Sequence, residues 1–105
     1  MPTGSIVTTR PTVGFDFETI TVSNVAIGLT ATKYAPSNGH TAEHAFVTCE
    51  GEVRYRFDGS DPTASVGHIM QDGSFLIVKG EHQLKSIKFI RTTATSTLQV
   101  TYERE

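Results

Sequence analysis

From Glu18 onward the apolar residues fall at every second position, in short runs separated by breaker residues, and this pattern limits the fold more than any other feature. Ile20 and Val22 alternate within Thr19 to Val25, and Ala45, Val47 and Cys49 share one face of a later run. Val53, Tyr55 and Phe57 line a third run, with Arg54 and Arg56 on its other face. Ile69 and Met70 begin another short strand, Phe75 and Ile77 follow it, Ile87 and Phe89 mark the next, and Leu98, Val100 and Tyr102 alternate in the last. The run from Leu29 to Tyr34 reads as one more short extended segment. A period of two places successive side chains on opposite faces of a strand. No stretch repeats at the helical period.

The breakers agree with this reading. Ala35-Pro36-Ser37-Asn38-Gly39 is a loop, Glu50-Gly51-Glu52 a tight connection, Asp72-Gly73 a hairpin signal, and Lys79-Gly80-Glu81 another turn. About eight strands at this spacing predict an all-β, immunoglobulin-like sandwich of 7–8 antiparallel strands. Threonine supports it, with 16 copies in 105 residues, because a β-branched hydroxyl residue suits the wet face of a sheet and resists helix. The expected core is Val53, Tyr55, Phe57, Phe75, Ile77, Ile87, Phe89, Leu98 and Val100.

Residues 1–17 have a different character. Pro2, Gly4, Pro11 and Gly14 break any period, and Ile6, Val7, Phe15 and Phe17 come in pairs. They read as an extended N-terminal arm before a sandwich domain spanning 18–105. Such an arm either frays, as chain ends do, or docks its four apolar side chains on a neighbouring subunit.

Charge narrows the partners. The net charge is −2, with the charges scattered, whereas nucleic acid and anionic membranes both call for a concentrated basic patch. Neither is expected as a partner. No apolar stretch approaches the roughly 20 residues of a membrane helix, and no basic region followed by an apolar run opens the chain. A soluble protein made in a cytoplasm is expected. Cys49 stands alone and reads as a buried small hydrophobe.

Three clusters invite chemistry. Asp58-Gly59-Ser60-Asp61-Pro62-Thr63 holds two carboxylates and two hydroxyls, a set that suits calcium. Its simpler reading is structural: Gly59 takes a positive φ, Asp58 and Asp61 cap backbone N–H groups, and Pro62 fixes the exit. His40 and His44 stand four apart, as zinc ligands do on a helix, but here between a loop and a strand, and Thr41 replaces the glutamate of the zinc-protease motif. His68 and His82 complete the histidines. There is no nucleophile elbow and no phosphate-binding glycine loop. Neither enzyme, metal nor cofactor is expected.

Two resemblances follow from these residues. The segment from Val53 to Ser65, with Tyr55, Asp58, Gly59, Asp61, Pro62, Thr63 and Ser65, resembles the chitobiase C-terminal type of immunoglobulin-like domain, an accessory module without an active site. The later strand departs from it, with Phe89 and Arg91 where small residues are usual. The stretch from Glu18 to Glu105 also resembles small bacteriophage structural proteins. It shares their Arg54-Tyr55-Arg56, Asp58 to Thr63, Gly67-His68, Phe89-Ile90-Arg91 and Val100-Thr101-Tyr102-Glu103-Arg104. This second resemblance implies a virion component in many copies, with capsid decoration or cement favoured. Its implied partners are other virion proteins, above all the major capsid protein, and further copies of itself, a trimer being one form. A head–tail connector, or a glycan- or host-surface-binding module of the tail, is the alternative.

Overall fold

The computed structural model describes residues 13–36 and 41–104. Along the chain lie β1 (Val13–Val22), β2 (Ile27–Gly28), α1 (Ala31–Tyr34), β3 (His44–Glu50) and β4 (Val53–Arg56). They are followed by β5 (His68–Met70), β6 (Phe75–Lys79), α2 (Glu81–Ser86), β7 (Lys88–Arg91) and β8 (Ser96–Arg104). Eight strands form two antiparallel four-stranded sheets, ordered β1-β8-β3-β6 and β2-β7-β4-β5. The all-β sandwich expected from the period-two runs is the observed fold.

Its strand order is that of a jelly roll. β1 pairs with β8, β2 with β7, β3 with β6 and β4 with β5, so the chain is one long hairpin rolled on itself. The pairs β3–β8 and β4–β7 close each sheet. An immunoglobulin domain instead pairs its first strand with its second and leaves its last strand at an edge. Here the last strand is central.

The connections follow from that nesting. Gly51 at φ 98 carries the chain from β3 in one sheet to β4 in the other. Only glycine fits there, since a Cβ would lie 2.4 Å from Ser96 Oγ. The Asp72-Gly73 turn forms, with Ser74 N donating to Gln71 O at 2.9 Å. However, it joins β5 to β6 across the sheets and makes no hairpin.

The β1 sheet contributes Ile20, Val22, Ala45, Val47, Cys49, Val78, Leu98, Val100 and Tyr102 to the core, and the other sheet contributes Val53, Met70 and Phe89. Leu84 of α2 and Ile87 are buried in the same core. Cys49 is buried as expected, and burial pushes its thiol pKa up.

The structure corrects the expected core at three positions. Phe75 is 64% exposed, Ile77 46% and Phe57 46%. In β6 it is Leu76 that is half-buried against the core and Val78 that is buried. Phe75-Leu76-Ile77-Val78 is apolar at four successive positions, so alternation cannot choose its register, and a one-residue shift exchanges the faces. Phe57 lies beyond the end of β4. The run from Leu29 to Tyr34, expected as extended, contains the single-turn helix α1 instead. At six residues, α2 is too short to show a helical period, and Leu84 is its one buried residue.

β1 also runs unbroken through Glu18. The part of the expected arm from Val13 to Phe17 is therefore a strand of the sandwich, paired with β8 and bulged between Gly14 and Asp16. Two acids on the inward side of β1 hold α1 in place. Glu18 accepts hydrogen bonds from the Tyr102 hydroxyl and from Thr30 Oγ1, the latter at 2.7 Å. Asp16 pairs with Lys33 at 3.1 Å. A hydrogen bond from the Phe17 N–H, and then Lys33, hold the Asp16 carboxyl below its usual range.

Two outcomes test this packing. Phe89→Ala should cost about 3–5 kcal/mol in denaturant unfolding, as buried phenylalanines do, whereas Phe75→Ala should cost under about 1 kcal/mol, as surface changes do. Equal costs would mean that β6 is shifted by one residue. Burial, and then the Glu18 carboxylate, raise the Tyr102 pKa far above its ordinary value. The unfolded phenol ionises near pH 10 while the folded one stays protonated, so its contribution is complete below about pH 10 and is lost as pH rises beyond. Tyr102→Phe should flatten the alkaline decline in melting temperature, and an unchanged decline would place its cause elsewhere.

Candidate functional site

The residues missing from the core all belong to surfaces. On the outer face of the β1-β8-β3-β6 sheet, the strand registers set residues side by side in rows. Phe17 pairs with Thr101, Thr101 with Phe46, and Phe46 with Ile77. The next row runs Thr19, Gln99, Thr48, Phe75. Phe17 is 52% exposed and Phe46 39%, joining the still more exposed Phe75 on the same face. The Phe46 and Phe75 ring centroids lie 5.7 Å apart, within contact range for an aromatic pair. Thr19 Oγ1 donates to Gln99 Oε1 at 2.8 Å.

No charged residue lies in either row. Polar and charged residues lie at the two ends of the face: His44 and Lys79 pair across β3 and β6 with Glu103 beside them, and Glu50 lies at the far end of β3. The result is an apolar and hydroxyl-bearing field between polar and charged margins. Contiguous exposed apolar surface of this kind marks an interaction site more often than idle surface.

A second cluster sits at the end of the other sheet. Tyr55 packs near His68 (5.4 Å), Phe89 (6.0 Å) and Phe57 (6.4 Å), and Phe57 stacks on His68 at 5.9 Å. Arg56 and Asp58 border this stack in a shallow pocket. Their side chains meet twice, Nε to Oδ1 at 3.2 Å and a terminal nitrogen to Oδ2 at 2.5 Å. That contact, and then the Ser60 N–H, lower the Asp58 pKa.

The Asp58–Thr63 loop is built largely as a turn. Asp58 accepts from Ser60 N at 3.2 Å and Gly59 has φ 89, as expected, and Pro62 is fully buried. Asp61 departs from expectation: it pairs with Lys88 at 3.0 Å in place of a backbone cap. Thr63 does the capping, accepting from Ser65 N and Val66 N. Arg54 pins the loop to the sheet, donating to Ala64 O at 3.0 Å and Gly67 O at 2.7 Å. Among the described residues, no group of three or more His, Cys, Asp or Glu side chains gathers as a metal site would. His44, His68 and His82 lie on separate elements, and His40 lies outside the described residues.

The structure separates the four expected arm contacts. Phe17 joins the exposed face, while Phe15 is half-buried against the core beneath the Arg104 guanidinium, 5.1 Å from the ring centroid. Ile6 and Val7 lie outside the described residues. Sequence reasoning missed Phe46 and misplaced Phe75 and Ile77. The available signal was that Ala45-Phe46-Val47 and Phe75 to Val78 are apolar on both sides, a pattern that belongs to strands covered on both faces.

No protein-family model, curated protein or solved structure matches this chain.

Two glycines check the loop geometry. Gly59→Ala should cost about 1–2 kcal/mol through φ strain alone, since nothing lies within 4 Å of its added Cβ. Gly51→Ala should cost more, because it adds a clash with Ser96 to the same strain. Urea unfolding ranks the two, and the reverse order would contradict the sheet-crossing geometry at Gly51.

Proposed function

We propose that this chain is a non-enzymatic structural protein of a bacteriophage particle, a capsid decoration or cement protein that docks on the head lattice. The observation that carries the docking role is the exposed field of Phe17, Phe46, Phe75 and Ile77 on one outer sheet face. These side chains are already about half covered, so a partner that buried the rest would recover about half of the ~1.5–3 kcal/mol that full burial of each is worth. The jelly-roll order is compatible, since viral capsid domains use it, although lectins and cupins do too and fold alone assigns no function. The sequence resemblance to small phage structural proteins supplies the virion setting and the major capsid protein as partner.

A second reading has its own observation. Phe57, Tyr55 and His68 form a partly exposed aromatic stack beside the Arg56–Asp58 pair, and rings of this kind are where a sugar would stack in a glycan- or host-surface-binding module of the tail.

Particles lacking the protein separate the two. Wild-type chain should rebind them in hundreds of copies, counted by mass spectrometry, and Phe75→Asp should abolish rebinding while leaving the melting temperature near wild type. If Phe75→Asp rebinds normally while Phe57→Ala abolishes attachment to host glycan, the decoration reading is wrong. A connector position would appear as a copy number in the tens or below.

A further inference from the structure

We infer that the chain carries a binding site for a carboxylate-bearing sugar unit, centred on Arg91 at the end of β7. The site is a cleft of about 380 Å³ lined by Asn24, Thr63, Ile90, Arg91, Thr92 and Thr93, a size that suits a small molecule. β7 belongs to the other sheet from the docking face. Arg91 pairs with Val53, at the end of β4 away from Phe57, so the cleft is also distinct from the Tyr55–His68 stack.

Three segments meet there, and backbone bonds hold each in place. Arg91 N donates to Ser23 O at 3.0 Å, which ties the turn carrying Asn24 to the end of β7. Thr92 N donates to Glu52 O at 3.4 Å, and Thr92 Oγ1 donates to Glu52 Oε1 at 2.8 Å. In the loop over 57–67, Thr63 N donates to Val66 O at 2.8 Å and Val66 N to Thr63 O at 3.3 Å. Arg54 holds the same loop through Ala64 O at 3.0 Å. Walls fixed in this way need little ordering when a ligand arrives.

Charge decides what the cleft takes. Lys33, Arg56 and Lys88 are each paired with an aspartate, and Arg54 is taken up by two carbonyls. Among the described residues Arg91 has no carboxylate partner. Its Nη1 donates to Thr95 Oγ1 at 3.1 Å, and its other N–H groups are open to a ligand. The planar guanidinium fork matches a carboxylate bidentately. One unpaired cation balances one negative charge, which favours a carboxylate over a doubly charged phosphate.

The uncharged lining selects a sugar. Thr63 Oγ1 already accepts from Ser65 N and Val66 N, so its proton is left to donate. The side chains of Asn24 and Thr93 make no hydrogen bond among the described residues and can both donate and accept. Ile90 adds an apolar patch. A ring that bears hydroxyls and a carboxylate meets all of these groups, whereas a bare carboxylate meets Arg91 alone.

The test is a titration of the isotope-labelled 105-residue chain with glucuronate, followed through the Arg91 and Asn24 side-chain N–H resonances. Saturable shifts are expected with a Kd of about 1 mM, ordinary for a ligand of this size. Arg91→Gln should weaken binding at least tenfold, and Arg91→Lys, which keeps the charge but loses the fork, should not restore it. Asn24→Ala, on a separate turn, should weaken it several-fold, and all three variants should melt near wild type. Neutral glucose and acetate should each bind at least tenfold more weakly than glucuronate. A uronic-acid polysaccharide that binds at least as tightly supports a glycan chain as the source, and one that does not bind supports a free sugar acid. The inference is overturned by the absence of saturable shifts up to about 10 mM, by equal binding of acetate or glucose, or by Arg91→Gln binding as wild type does.

Discussion

The pairing of the first strand with the last holds this fold together. β8 lies between β1 and β3, and its Leu98, Val100 and Tyr102 are fully buried. Every other pairing nests inside that closure, so β8 must arrive before the roll is complete. The cost is entropic, because residues some eighty positions apart must meet before their contacts contribute. Tyr102 reinforces the closure with its bond to Glu18 of β1, and Glu18 in turn holds Thr30 at the start of α1. One buried hydroxyl thus links the last strand, the first strand and the segment that follows β2. Such non-local architecture folds slowly compared with helical domains of similar size.

Much of this was legible in the sequence, and the limits have physical causes. Runs with one apolar and one polar face were read correctly: Ile20 and Val22, Ala45 to Cys49, and Leu98 to Tyr102 face the core as their alternation requires. The register failed where both faces are apolar, in Phe75 to Val78, because the pattern then carries no information about which side is inward. Strand order was illegible for a different reason. The Asp72-Gly73 and Gly51 turns look the same whether they close a hairpin or cross between sheets, and only packing across the sandwich decides. The acids inside β1 were also hidden, since an inward Asp16 or Glu18 makes sense only once Lys33, Thr30 and Tyr102 are seen around it.

The exposed outer face comprises the residues whose register the pattern left open. Moving Phe75 and Ile77 out of the core thins the interior and builds an outer face in one step. β6 is apolar on both sides, and its neighbour β3 adds Phe46 to the outer surface of their sheet. Edge strands with exposed apolar faces invite uncontrolled pairing. At the opposite edge, β1 carries inward acids and a bulge at Gly14 to Asp16, devices that discourage strand addition. Protection at the β1 edge and apolar exposure on the outer face agree with the proposed docking through that face in place of strand addition at β1.

The most direct measurement of that claim is a titration with particles lacking the protein, followed by nuclear magnetic resonance on chain labelled at isoleucine methyls and phenylalanine rings. As particles are added, the resonances of Phe17, Phe46, Phe75 and Ile77 should shift and broaden together, while those of Phe57 and buried Phe89 stay fixed. Shifts confined to Phe57, with the outer-face residues still, would contradict the account and move the working surface to the Tyr55–His68 end of the other sheet.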